Sequence, residues 1–266
     1  MITFDDGYAD NLYNAKPLLE RYKIPATVFV TSGHIDTQDE FWWDELDRLL
    51  LQPGRLPETL RQNINGSRFE SELNEAAYYS EDDFQRYCCW NVMEQDDPTP
   101  RQALYRTLCQ LLRPLPAEER QKVLEELRAW AGAESAGRPS YSALSSDEIL
   151  RLTDSGLVEV GAHTVNHPVL SALPMFVQRA EIEKSKARLE KILGRPVTSF
   201  SYPYGSQSDY TAETGAGVQE AGFACACSNF PGLVRMGIDP YQLPRFLVRN
   251  WTGSEFERRL KTFWSH

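Results

Sequence analysis

Ala26-Thr27-Val28-Phe29-Val30-Thr31-Ser32-Gly33 is the stretch that decides the fold of this chain. An unbroken run of β-branched and apolar residues closed by Ser-Gly has the composition of a strand buried on both faces, the kind found in parallel sheets. Toward the N-terminus, residues 10–22 read as a helix with Leu12, Leu18 and Leu19 available for one face, and Met1 to Phe4 reads as the end of an earlier strand broken by Asp5-Asp6-Gly7. Strand, helix and strand in that order open a parallel α/β sheet. Because so few residues precede the acidic turn, the first strand reads as truncated, with its start upstream.

Toward the C-terminus the pattern changes over residues 36–140. Residues 41–51 are amphipathic, Asn65-Gly66 is a strong hairpin-turn signal within 59–73, and Ser80-Glu81-Asp82-Asp83 opens a helix with a capping residue and an acidic first turn. Two further helices are expected at 100–112 and 116–130, each with proline at its first position. This region reads as a mainly helical insertion after the second strand. From 141 the α/β rhythm returns. Ser146 is expected to cap a helix over 147–154, and strands are expected at 157–161, 197–202 and 223–227. Helices are expected at 174–193 and 211–221. The domain division is therefore 1–35 with 141–266, interrupted by 36–140.

The 266 residues, 41% of them hydrophobic, suffice for one large core plus an insertion. The net charge of −10 is uneven: residues 36–140 hold 21 Asp+Glu against 12 Lys+Arg, and the rest hold 17 against 16. With no basic stripe to neutralise phosphates, nucleic acid is not an expected partner. No apolar run is long enough for a membrane span, and no secretory leader is visible, so a cytoplasmic location is expected. The five cysteines (Cys88, Cys89, Cys109, Cys225, Cys227) form neither a disulfide framework nor a metal knuckle and read as packing residues.

Chemistry concentrates in two motifs that each end a predicted strand. Thr3-Phe4-Asp5-Asp6-Gly7 offers two carboxylates, and His163-Thr164-Val165-Asn166-His167 holds two of the chain's four histidines. One carboxylate and two imidazoles suit a catalytic divalent metal, Zn²⁺ first among them, because three protein ligands leave a position open for water. The second aspartate is then free to serve as base. Both motifs fall at the C-terminal ends of strands, where (β/α) barrels carry their chemistry.

Together with Ser201-Tyr202-Pro203-Tyr204-Gly205, these motifs resemble, in order, those of the polysaccharide deacetylases of the NodB-homology group, carbohydrate esterase family 4. The resemblance covers residues 1–35 and 141–266, and the middle segment is similar to insertions of bacterial deacetylases associated with surface polysaccharide. It implies a deformed parallel (β/α) barrel that removes N-acetyl groups from amino sugars of a polysaccharide or lipid-linked oligosaccharide. By the same resemblance Asp5 is the general base, and Asp6, His163 and His167 are the metal ligands. The backbone N–H of Tyr204 then donates to the oxyanion, and Gly205 lets its loop come close to substrate.

Two positions depart from the family pattern. The third motif usually begins with an arginine that holds the catalytic aspartate, and here it begins with Ser201. Arg245, in Leu243-Pro244-Arg245, is expected to reach in from a later strand instead, since a guanidinium orients a carboxylate through a fixed fork of donors. The late histidine that serves as general acid has no counterpart apart from His266 at the terminus, and His34, which follows the second strand, is named as the substitute. Trp42 and Trp43 are read as core anchors, while Tyr202, Phe230 and Trp251 stay open between core and sugar-stacking roles. Two other readings also stay open: hydrolysis of an amide or formamide on a non-sugar substrate, and a catalytically weak carbohydrate-binding protein. The sequence leaves the oligomeric state undetermined.

Overall fold

The computed structural model describes residues 1–263, so His266 lies outside the described residues. The chain begins with β1 (Ile2–Phe4), a π-helical turn (Asn11–Ala15) leading into α1 (Lys16–Tyr22), and β2 (Ala26–Val30). Next come α2 (Trp42–Leu50), β3 (Gly54–Arg55), β4 (Thr59–Ile64), β5 (Ser67–Glu72), β6 (Tyr78–Tyr79), α3 (Glu81–Tyr87), α4 (Pro100–Leu112) and α5 (Ala117–Ala131). It finishes with α6 (Ser146–Thr153), β7 (Val158–Ala162), α7 (Met175–Leu193), β8 (Ser199–Ser201), α8 (Ala212–Glu220), β9 (Cys225–Cys227) and α9 (Gly253–Phe263). Two compact units result, a barrel unit of Met1–Thr37 with Ala143–His266 and an inserted unit of Gln38–Ser142.

In the barrel unit the strand order is β1-β2-β7-β8-β9, every pair is parallel, and the sheet curls into a half-barrel. The run 26–30 explains why. All five residues of β2 are buried, so the strand needs cover on both faces, and only a sheet flanked by helices provides it. Val28, Phe29 and Val30 are each 1% exposed, and full burial of such side chains contributes about 1.5–3 kcal/mol apiece. Gly161 in β7 lies where a Cβ would come 2.4 Å from the Phe29 ring, so the neighbouring strand's aromatic occupies the space that any side chain would need. The core continues through Ile149 and Leu152 of α6, Ile182 and Leu189 of α7, and Phe200, Tyr202 and Val218. Tyr202 belongs to that core: it is fully buried, stacked on Tyr210, and donates its hydroxyl to the Tyr241 carbonyl.

The helix ends correct two sequence expectations. Ser145, rather than Ser146, caps α6, because Glu148 then falls three residues on and closes a reciprocal capping box. Pro116 precedes α5 as its cap residue instead of occupying its first turn. The strands of the returning segment are also shorter than expected, three residues each for β8 and β9.

In the inserted unit β4 and β5 form the hairpin signalled by Asn65-Gly66. Both turn residues have positive φ (51° and 75°), the requirement of a two-residue turn whose twist matches its strands. Leu60, Gln62 and Ile64 point inward while Arg61 and Asn63 face solvent. Buried positions 42, 45, 46, 49 and 50 give α2 a single inward face, and Leu104, Leu108 and Leu112 do the same for α4. Trp42 is buried as a core anchor, with Trp43 edge-on against it and stacked on Phe41. The packing role expected for the cysteines fails at Cys88 and Cys89. Both are exposed, because α3 buries no residue at all. Among the described residues, no helix is long and apolar enough to cross a membrane.

Candidate functional site

Asp5 and Asp6 follow β1 directly, and the chain turns there because Asp6 adopts a left-handed backbone (φ 73°). His163 follows β7 in the same way. The loop to His167 runs beside the end of β2, where Ser32 N–H donates to Thr164 O (3.0 Å) and Gly33 N–H to Val165 O (2.8 Å). Parallel pairing of β1, β2 and β7 thus brings the two motifs to one end of the sheet.

Asp6, His163 and His167 each present a ligand atom, and these atoms all lie within 4.8 Å of one another. His163 Nε2 is 3.5 Å and His167 Nε2 is 3.3 Å from Asp6 Oδ1. His163 Nδ1 lies 2.7 Å from the Ser201 carbonyl, which can only accept, so Nδ1 carries a proton, and in the neutral ring Nε2 keeps a lone pair facing the cluster. This is the tautomer that a metal needs, and the donor set of two imidazoles and a carboxylate fits a divalent ion of the zinc type.

Beside the cluster, Arg245 grips Asp5 with both ends of its fork: Nη1 donates to Oδ1 (2.7 Å) and Nη2 to Oδ2 (2.8 Å). Its remaining N–H groups reach Thr3 Oγ1 (3.1 Å), Ser201 Oγ (2.9 Å) and the Ser228 carbonyl (2.7 Å). Ser201 Oγ in turn donates to Asp5 Oδ2 at 3.3 Å. Arg245 follows Leu243, which makes a single parallel bridge to Cys227, so it comes from an extended loop and not from a full strand.

The electrostatics follow from this crowding. Burial alone would raise the Asp5 pKa, but the His163 charge and the Arg245 hydrogen bonds outweigh it and hold the carboxyl below its ordinary range. Burial likewise opposes ionisation of Asp6, and hydrogen bonds from His163 and His167 overcome it and pull its pKa down. For His163, burial favours the neutral ring, yet the charge of Asp5 and the hydrogen bond to Asp6 raise its pKa in the metal-free protein.

Tyr204 has a left-handed backbone (φ 61°), and its ring packs edge-on against His167 with centroids 4.7 Å apart. Gly205 (φ 70°) is required by its neighbour: a Cβ would come 2.8 Å from the Asn229 nitrogen, which donates to the Gly205 carbonyl. His34 ends a short 3-10 turn, is half-buried, and is not a member of the ligand cluster. The structure therefore brings together Asp5, Asp6, His163, His167, Tyr204 and Arg245, while His34 is not among the ligand atoms of the cluster.

Sequence reading missed the connecting residues. Thr3 in β1 and Asp5 just beyond it stand two residues apart, a signal that was present. Ser201 registers in the sequence only as a missing arginine, yet its hydroxyl meets the base and its carbonyl meets a candidate ligand.

The polysaccharide deacetylase family model matches residues 1–60 and 124–226. No curated protein sequence matches the chain. Among solved structures, IcaB from Ammonifex degensii is 18% identical with a TM-score of 0.54, covering 99% of this chain and 72% of that one. A polysaccharide deacetylase from Bacillus cereus is 17% identical with a TM-score of 0.53, covering 97% of this chain, which spans half the length of that protein. The Streptococcus pyogenes deacetylase PplD, solved in complex with acetate, is 16% identical with a TM-score of 0.51, covering 96% of this chain and 67% of that one. At these identities the structures speak for the fold, and the match of the family model over more than half of the sequence shows that the chain belongs to the polysaccharide deacetylase family.

Proposed function

We propose that this chain hydrolyses the N-acetyl amide of an amino sugar in a polysaccharide or lipid-linked oligosaccharide, with Asp6, His163 and His167 holding a divalent metal, Zn²⁺ foremost. The observation that carries the reading is a carboxylate fixed by a bidentate arginine directly beside a three-ligand cluster, since a protein that only bound metal would have no use for a second, separately oriented aspartate. Bound there, the metal supplies Lewis-acid chemistry toward the amide carbonyl and water.

The protein's own groups divide the remaining work. Asp5 Oδ2 accepts from both Arg245 and Ser201, whereas Oδ1 accepts from Arg245 alone, so Oδ1 retains the lone pair that takes the proton of the attacking water. The lowered pKa of Asp5 keeps it ionised and ready to accept at neutral pH. Arg245 prevents the carboxylate from rotating during that transfer. Backbone N–H of Tyr204, presented by its left-handed turn, donates to the developing oxyanion. Asp5, which has taken the proton of the water, returns it to the leaving amine, and the products are the free amino sugar and acetate. Of the solved neighbours, PplD was captured with acetate, the acid that this reaction releases.

The test is metal content and acetate release together. Chelated protein reloaded with Zn²⁺ is expected to hold about one ion per chain, to lose it in His163→Ala, and to release acetate from N-acetylated oligosaccharides. A folded wild type that holds no metal overturns the proposal. Turnover of N-formyl or cyclic amides with none of the sugars moves the reaction to another carbon–nitrogen bond.

A further inference from the structure

Glu181 of α7 lies on the helix face that also buries Gln178, Ile182, Ser185 and Leu189, where an apolar side chain is the ordinary choice. The residue is 8% exposed, and its carboxylate accepts three hydrogen bonds from two consecutive residues of the His163–His167 loop. Val165 N–H and Asn166 N–H both reach Oε2 at 2.9 Å, and Asn166 Nδ2 reaches Oε1 at 2.7 Å. Two adjacent amides converging on one oxygen form an anion-binding concavity, and here the anion is built into the chain.

The flanking backbone explains why such a hold is needed. Thr164 (φ 64°) and His167 (φ 52°) bracket the two amides in left-handed conformations, which are costly for any residue with a Cβ and most of all for a β-branched one. Thr164 Oγ1 accepts from His167 N–H (3.1 Å), so the loop closes on itself, but the end of β2 holds it from one side only. Glu181 supplies the other side.

We propose that Glu181 is a positioning residue for the metal centre. By binding Val165 and Asn166 it holds the strained loop from Thr164 to His167, and with it the convergence of His163 and His167, before any ion arrives, and it touches neither substrate nor metal. The inference rests on the reading of Asp6, His163 and His167 as metal ligands.

The experiment is Zn²⁺ affinity, measured by competition with a chromophoric chelator, for wild type, Glu181→Gln and Asn166→Ala. Circular dichroism and thermal melts of the metal-free proteins accompany it at a temperature where all are folded. Glu181→Gln keeps the side chain's size but turns one acceptor into a donor, and it is expected to weaken Zn²⁺ binding on the order of 10-fold with the fold intact. Asn166→Ala removes a single donor and is expected to weaken binding several-fold, which carries the test where Glu181→Gln does not fold. Equal affinity in a folded variant and wild type overturns the positioning role. A wild type that takes up no Zn²⁺ overturns the metal reading itself, and the positioning role with it.

Discussion

Arg245 in the barrel unit and Arg101 in the inserted unit are both withdrawn from solvent, and both place all five N–H groups on acceptors, but the acceptors differ in kind. Arg101 is 1% exposed and binds only backbone: the carbonyls of Ala76, Leu50, Gln52, Gly54 and Ala77 at 2.8–3.3 Å. With no carboxylate beside it, burial lowers its pKa to about 10. Arg245 gives one N–H to a carbonyl and the rest to side-chain oxygens, two of them on Asp5. A guanidinium spent on main chain ties segments together, whereas one spent on a carboxylate orients a reactive group. Backbone strain divides the same way. Among the described residues of the inserted unit, the non-glycine left-handed positions are Asn65 and Asn74, a residue type that tolerates them, whereas in the barrel unit Lys23 ends α1, Asp36 binds Ser146, and Asp6, Thr164, His167 and Tyr204 belong to the candidate site.

Five substitutions or conditions break or sharpen this contrast. Asp5→Asn is expected to give the largest effect, a loss of about 10³-fold or more in kcat with Zn²⁺ content retained. Undiminished acetate release would remove Asp5 as the base, and sugar binding with no acetate release by wild type or variant would favour a binding protein. Next, Arg101→Leu leaves five buried carbonyls without their donor and is expected to cost about 3 kcal/mol or more of stability in urea melts, while leaving Zn²⁺ affinity unchanged. A stable Arg101→Leu variant would show that main chain can do without the guanidinium.

Arg245→Lys keeps the charge but cannot hold both oxygens of Asp5. Its expected outcome is a drop of about 10²-fold in kcat with little change in KM, read from steady-state acetate release. A drop confined to KM would place Arg245 on the substrate instead.

The fourth prediction concerns pH. His163 has a raised pKa in the metal-free protein, so its contribution to stability is fully present below the ordinary value of 6.5 and is lost as pH rises through the raised one. The depressed Asp5 and Asp6 contribute stability above their ordinary 3.8 and lose it as pH falls further. A metal competes with the His163 proton, and Zn²⁺ affinity is expected to tighten on the order of tenfold from pH 6 to 7.5. Affinity that stays flat over that interval would show that His163 does not titrate against the ion. The smallest effect is expected for Asn65→Ala, about 1 kcal/mol of stability with no change in Zn²⁺ binding, because the left-handed turn residue is lost from a hairpin that carries no chemistry. A loss well above that would mean that the turn also fixes the strand register.

Where one physical signal dominated, the sequence was readable. The run at 26–30 is buried on both faces and has only one way to be covered, and Asn65-Gly66 demands its turn. The paired motifs were legible because metal chemistry restricts ligand types, and Arg245 because a carboxylate calls for a fork of donors. What escaped was set by tertiary context. Strands of three residues, as in β8 and β9, have too little pattern to mark their ends. Ser145 and Ser146 differ as caps only through the partner at Glu148. Exposure of Cys88 and Cys89 depends on α3 burying nothing, and Glu181 shows itself only as a charge in an apolar register.

The acceptor of the His163 proton is a main-chain oxygen, that of Ser201. Every amino acid carries that atom, so no replacement at position 201 deletes it as long as β8 keeps its place. The proton position on the candidate ligand His163 is thus inherited with the strand, while the side chain at the same position reaches only the neighbouring Asp5 and Arg245. A substitution at position 201 therefore acts on the Asp5 half of the centre and leaves in place the carbonyl that orients the His163 ring.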